Sequence, residues 1–577
     1  MMRLEQKKRQ RAIFQFLLVL AALFLINLLA NGRIGNTRMY TAFDLTQDKR
    51  YSLTEHTEEL LDRLDQIVYV EVLMEGDFPA TYERLRASVR STLEDMRSQS
   101  SYIEYRFTNP IPEGENSERT RARQQSLAED GIVPVTLVKQ SATERGAKQI
   151  YPYAILNYNG RTEIAPLMNS QPGQRAESTV EESISRLEYN ISSALERLLN
   201  PARPLVTFST GRGELPPVAT ADLEARLRQQ YEVGRLSLDS LAAIPQEVKL
   251  VIIAKPTIPF SDKDLFKIDQ YIMNGGKVLW SVDGVAMDLD SLRTRNEYYP
   301  SPYELNLNDL FYRYGLRVNG DLVLELENAS TIPIRVGSVN GNPQIENLTF
   351  PYHVVATPRG DHPIIKNVDP IDLRFPSSID LDIGTPNPID KTILLMSSNR
   401  ARYQRLPAAI DLDVQKYSLD ADRFNRDSLV MGVLLEGTFT SPYANRVPES
   451  FKQTLSDIGQ AFKSESVPNR MIVVSDGDLL ANVLDREGKV SPLGFNPYHR
   501  YLFDNKDLAL NMIEYLLDDG GVVASRGKQV RLRLLDRVAA QEQAGFWRML
   551  NIGLPLIILI VFGFGFNYLR RRKYGRK

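Results

Sequence analysis

Two long apolar runs, one near each end, constrain this chain more than anything between them. Residues 13–30 are interrupted only by Gln15 and Asn27, and residues 549–569 likewise carry no charge. Helices of about 18 to 21 residues, rising ~1.5 Å each, match the thickness of a hydrocarbon core. Arg3, Lys7, Lys8, Arg9 and Arg11 precede the first run; Arg570, Arg571, Arg572, Lys573, Arg576 and Lys577 follow the second. Basic flanks stay in the cytoplasm, so both tails belong on that side and the large middle outside. Trp547 and Tyr568 bracket the second run as an aromatic belt would. A cleaved signal peptide is the competing reading of the first run. The run exceeds the usual ~7–15 residue apolar region, and Leu28-Leu29-Ala30 is a poor cleavage site, so an anchor is expected.

With 577 residues the chain exceeds what one core serves, and two to four domains are expected. Charged residues make up 25% and the net charge is -2, which does not suit a nucleic-acid binder. There is no cysteine, which excludes disulfides and thiolate chemistry. The four histidines, His56, His353, His362 and His499, are scattered, and no metal site is expected.

The pattern divides the chain into a basic tail (1–12), a membrane helix (13–30), a first outer module (31–200), a second (201–528), a juxtamembrane segment (529–548), a membrane helix (549–569) and a basic tail (570–577). In the first module Thr54 reads as a helix cap, and β-α-β-α-β-β-α follows, with a hairpin about Asn159-Gly160. That is the order of the thioredoxin fold, here without Cys-x-x-C, so redox work is excluded. Asn200-Pro201-Ala202-Arg203-Pro204 marks the boundary. Strands at 205–209, 233–238, 250–254 and 277–282 then alternate with helices at 221–231 and from Ser261 to Met273. This predicts a Rossmann-like, doubly wound α/β module. The stretch 330–351 reads as irregular connections, and 438–469 as an exposed, partly helical excursion.

The most suggestive loop is Thr210-Gly211-Arg212-Gly213-Glu214, since glycines at a strand-to-helix turn can cradle a ligand on backbone N–H groups. It completes neither G-x-G-x-x-G nor a Walker A loop, and a plain tight turn is the competing reading. Asp283, Asp476 and Asp478 end apolar strands, where carboxylates can hold a polar ligand or serve turn chemistry. No Gly-x-Ser-x-Gly elbow or His-Glu-x-x-His occurs, so no catalytic residue, cofactor or metal is assigned.

Several stretches, taken in order, resemble the gliding-motility-associated auxiliary subunits of ABC transporters, the GldG family. They are Phe43-Asp-Leu-Thr-Gln-Asp-Lys-Arg-Tyr-Ser-Leu53, Met74-Glu-Gly-Asp-Phe-Pro79, Phe107-Thr-Asn-Pro110, Phe208-Ser-Thr-Gly-Arg-Gly-Glu214, Tyr314-Gly-Leu-Arg317, Val474-Ser-Asp-Gly-Asp478, Asn505-Lys-Asp-Leu-Ala-Leu-Asn511 and Leu532-Arg-Leu-Leu-Asp536. The resemblance implies a two-pass protein of the bacterial inner membrane, both termini cytoplasmic and the bulk periplasmic. It implies a separate polytopic permease and a separate cytoplasmic ABC ATPase as partners, with substrate or an envelope component met outside. It also implies a non-catalytic α/β module related to intraflagellar-transport proteins, and it brings no ligand residues with it. A membrane-tethered envelope enzyme working through Asp283, Asp476 or Asp478, or a structural scaffold, remain the alternatives.

Overall fold

The computed structural model describes most of residues 53–518 and 544–574, together with a few positions before 53; stretches including 112–116, 141–144, 169–175, 413–420, 456–460 and 519–543 lie outside the described residues. The run 13–30, expected as the first membrane helix, lies outside them except for Leu18, Ala21 and Ala22, which are helical. The chain divides into two units, Met1–Gln529 and Val530–Lys577.

In the first unit, Thr54 caps α1 (Glu55–Asp62) by accepting a hydrogen bond from the Thr57 N–H. There follow β1 (Val68–Val72), α2 (Ala80–Gln99), β2 (Ile103–Phe107), α3 (Ser117–Glu129), a hairpin of β3 (Val135–Gln140) and β4 (Arg145–Ile150), then β5 (Tyr153–Tyr158), β6 (Arg161–Pro166) and α4 (Ala176–Leu199). The sheet order is β2-β1-β5-β6, with β1 and β2 parallel and β5 antiparallel to both its neighbours. β5 turns into β6 on Asn159 (φ 50°) and Gly160 (φ 77°), the paired positive values a two-residue hairpin demands. Leu85, Val89, Leu93 and Met96 of α2 and Leu187, Ile191, Leu195 and Leu198 of α4 share one core with Val68, Val70 and Val72. Each set falls on one helical stripe.

A larger sheet follows: β7 (Leu205–Thr210), α5 (Ala221–Leu227), β8 (Glu232–Ser237), β9 (Val248–Ala254), α6 (Asp262–Met273), β10 (Lys277–Ser281) and α7 (Asn308–Tyr314). The chain continues through β11 (Asp321–Glu325), β12 (Ala329–Val339), β13 (Asn342–Ala356), β14 (Ile371–Arg374), β15 (Asp390–Met396), β16 (Ala401–Arg405), β17 (Val430–Gly437), β18 (Asn469–Val474) and α8 (Asn505–Leu517). Seven strands join in the order β8-β7-β9-β10-β18-β17-β15. The first five are parallel, whereas β17 runs against both its neighbours, so the sheet is mixed rather than wholly parallel. An antiparallel neighbour needs no crossover helix, and among the described residues no α-helix separates β17 from β15. Leu250 to Ala254 are all buried because both faces are covered. Leu250 and Ile252 pack with Leu223 of α5 and Leu508 and Met512 of α8; Val251 and Ile253 pack with Ile268 and Ile272 of α6.

The stretch 330–351, expected to be irregular, is instead most of a long hairpin. β12 and β13 pair from Ala329↔Val354 to Val339↔Asn342, and β14 adds a third strand. Beyond its base the described residues of the hairpin, Gln344, Ile345, Glu346 and Asn347 among them, are exposed, so the polar composition belongs to a solvated ribbon. Ile332, Ile334, Phe350 and Tyr352 anchor its base in a separate small core.

The second unit holds α9 (Ala544–Tyr574), with Pro555 inside it. Among the described residues its span Gly545–Arg572 is long and apolar enough to cross a membrane, and none of that span is buried.

Candidate functional site

Strand connections leave β7 toward β8 on one side and leave β9 toward β10 and β18 on the other. The crevice between β7 and β9 is therefore where the winding direction reverses, and its C-terminal end is where open α/β sheets usually take ligands. The structure places Thr210–Glu214 there, directly after β7.

The loop is bonded to its own protein. Thr257 and Ile258 donate N–H bonds to the Arg212 carbonyl at 2.8 and 2.9 Å, and Leu215 N–H reaches the Ala254 carbonyl at 3.0 Å. Glu214 Oε2 accepts the Arg212 N–H at 2.6 Å, while its Oε1 is buried with no partner. Gly211 (φ 104°) and Gly213 (φ 73°) supply the left-handed turn, and a Cβ at Gly213 would collide with Thr257 Oγ1. Arg212 donates to Asp264 Oδ2 from Nε at 3.0 Å and Nη2 at 2.6 Å, and it also pairs with Asp239. Asp264 in turn completes the capping box of α6 with Ser261. Burial raises the Asp264 carboxyl, but hydrogen bonds from Ser261 and Arg212 outweigh it and hold the group below its ordinary range. A 3₁₀ turn (Pro217–Thr220) separates the loop from α5, so the loop does not run directly into a helix N-terminus as a phosphate-binding strand–loop–helix turn does.

Asp283, Asp476 and Asp478 come together at the ends of β10 and β18. Two residues absent from the sequence-based list join them: Lys255, after β9, and Arg374, at the end of β14. Lys255 Nζ lies 2.5 Å from Asp478 Oδ2 and 3.6 Å from Asp283 Oδ2. Asp283 Oδ1 accepts the Gly477 N–H at 2.6 Å. Asp476 accepts N–H bonds from Arg374 at 2.8 Å and Asp478 at 2.7 Å. Burial pushes Asp283 up to about 7 against the pull of Lys255, and raises Asp476 well above the carboxylate range, with Asp478 adding to the effect. Burial alone would lower the Lys255 ammonium, but Asp478 and Asp283 together hold it above its ordinary value. Lys255 also adopts φ 53°, a left-handed value unusual for a side chain of this kind. Only its position at the end of an apolar strand, before Pro256, hinted at it in sequence.

Chemically this network ties four strand ends together, those of β9, β10, β14 and β18, its acceptors being largely taken up by neighbouring N–H groups and one ammonium. No group of three or more His, Asp or Glu is disposed to hold a metal among the described residues. A cavity of about 120 Å³ touches Asp283, Tyr303 and Arg317. A roomier one, about 580 Å³, lies at the opposite edge of the sheet, where Pro204 leads into β7 and Tyr231 into β8.

The fold and site define a multi-module α/β protein with a membrane-compatible helix and a strand-end ion network. Residues 203–512, more than half the chain, match the family described as an ABC-type uncharacterized transport system, and the chain belongs to that family. Residues 47–157 match a domain of unknown function. An uncharacterized protein of Borreliella burgdorferi is 21% identical over 434 residues, covering 73% of this chain and 77% of that one. Among solved structures, the mmIFT52 N-terminal domain is 13% identical with a TM-score of 0.31, covering 54% of this chain and 97% of its own. The exo-beta-1,4-mannosidase Op5Man5 from Opitutaceae bacterium strain TAV5 is 12% identical with a TM-score of 0.15, covering 55% of this chain and 48% of its own. At those values neither likeness bears on this chain.

Proposed function

We propose that the chain is a non-ATPase auxiliary subunit of an ABC transporter complex linked to gliding motility. It spans the inner membrane twice, with both termini cytoplasmic and two outer modules that meet substrate or an envelope partner. The observation that carries this reading is the family match over residues 203–512 in a chain that also holds the membrane-compatible helix α9. The sequence contains no Walker A loop, which supports placing ATP hydrolysis in a separate subunit. Basic residues outside each apolar run support the two-pass orientation. The β2-β1-β5-β6 order supports a thioredoxin-like module over 31–200, and the five parallel strands support a Rossmann-like module over 201–528.

The protein is not an enzyme in this reading. Asp283 and Asp476 are buried and their oxygens accept backbone N–H bonds, which disfavours the tethered-enzyme alternative.

Because the chain has no cysteine, single-cysteine variants test the topology cleanly. In spheroplasts a membrane-impermeant maleimide is expected to label Asp130→Cys directly, and Gln6→Cys and Arg576→Cys only after lysis. Labelling of either tail in intact spheroplasts overturns the two-pass arrangement.

A further inference from the structure

The larger of the two cavities described above is remote from the loops that sequence reasoning selected. Its volume of about 580 Å³ lies within the range that admits a small organic molecule. One wall is the face of α4 carrying Tyr189, Ser193 and Glu196, spaced so that they stack along the helix. The facing wall is the last turn of α8, with Glu514, Leu517 and Asp518.

Most of the charge in this cavity is already engaged. Arg197 Nε pairs with Glu163 at 2.8 Å, and Arg161 Nη1 donates to the Leu198 carbonyl at 3.3 Å. Arg63, just beyond, is turned to Asn200 Oδ1 at 3.3 Å, and the Tyr189 hydroxyl donates to Glu514. Two groups on the α4 wall are not engaged. The Glu196 carboxylate makes no hydrogen bond or ion pair among the described residues, and Ser193 Oγ is buried without a partner. Burial raises the Glu196 carboxyl, and Asp518 adds to the rise against the pull of His56, Arg63 and Arg197. His56, Arg63 and Arg197 act on this half-buried carboxylate through space, but none of them forms an ion pair with it.

We propose that this cavity binds a small molecule bearing a primary ammonium group, seated against Glu196 and Ser193. An ammonium carries three donors on one centre, enough to serve a carboxylate and a hydroxyl together. A neutral alcohol brings no charge to the carboxylate, and an anion meets Glu196 and Asp518, while of the lining arginines Arg161 and Arg197 are already bonded to Leu198 and Glu163 and Arg203 is exposed to solvent. The site needs only the cavity, so it stands whether or not the chain partners a permease.

The test uses the purified full chain in detergent, without other subunits, and three four-carbon probes of equal length: putrescine, 1,4-butanediol and succinate. Calorimetric titration is expected to give saturable binding for putrescine alone. Glu196→Gln, close in shape, is expected to weaken that binding about tenfold or more, as loss of a charge-assisted pair does. Glu346→Gln, exposed on the β12–β13 hairpin and not among the residues lining the cavity, is the control and leaves it unchanged. If Glu196→Gln does not fold, Ser193→Ala replaces it, with a weakening of about threefold or more expected for a lost hydrogen bond. No saturable binding of putrescine, equal binding of butanediol or succinate, or undiminished binding in the variant that folds overturns the proposal.

Discussion

The Lys255 ammonium and the Asp478 carboxylate lie 2.5 Å apart across 223 residues of chain. The pair links the ends of β9 and β18 over β10, which stands between them in the sheet. Removing the ammonium leaves Asp283, Asp476 and Asp478 without their common cation. Lys255→Met is expected to cost about 3–5 kcal/mol, the scale of breaking one side of a buried pair. Asp478→Asn in the same background recovers part of it, so a double-mutant cycle by urea unfolding gives a coupling of about 1 kcal/mol or more. Strict additivity contradicts the network.

Arg212 holds a second junction. With Arg212→Ala the buried Asp264 keeps its bonds within the α6 cap and a long 4.0 Å pairing with Lys267, and a loss of about 2–4 kcal/mol is expected. Arg212→Lys is expected to recover less than half, because one ammonium cannot reproduce a guanidinium fork facing two carboxylates. Full recovery by lysine, read from thermal unfolding, contradicts the geometry.

Much of this architecture was legible because it is local. Ser261 announces the start of α6, Asn159-Gly160 the hairpin, and the unbroken apolar run 250–254 a strand covered on both faces, whereas Asp264 as the reciprocal partner of the cap emerges only in the structure. The ribbon from Ala329 to Ala356 was not: Ile332, Ile334, Phe350, Tyr352 and Val354 alternate and are buried at its base, but the Asn, Gly, Ser and Pro residues around them read as loop. Asp283, Asp476 and Asp478 were chosen as separate strand ends. That they share Lys255 and Arg374 depends on strand order, which no local spacing encodes. The loop Thr210–Glu214 was placed correctly after β7, but its partners Thr257, Asp239 and Asp264 come from other crossovers.

Asp504 gives the fold a pH signature. Its carboxyl is raised from 3.8 to about 7, chiefly by burial, although Oδ2 accepts the Asp369 N–H at 2.8 Å. Between about pH 4 and 7 the native state holds a proton that the unfolded chain has released. Its contribution to stability is therefore full below pH 4 and is lost as pH rises through 7. Asp504→Asn keeps the acceptor oxygen without the charge. It is expected to remove up to about 4 kcal/mol of wild-type decline over that window, measured by unfolding at a series of pH values. Parallel pH profiles for the two proteins contradict this.

Deleting residues 544–577 removes α9. With residues 13–30 acting as an uncleaved anchor, the truncated chain still sediments with membranes and resists alkaline extraction. Deleting both runs releases the body into the soluble fraction. Release after the first deletion alone contradicts the two-pass reading and favours a cleaved signal.

Affinity isolation of the intact protein in mild detergent, with mass spectrometry of the recovered proteins, tests the central claim most directly. The account predicts a polytopic permease and a Walker-motif ATPase in fixed ratio with the chain. Recovery of the chain alone, or only with further copies of itself, contradicts it.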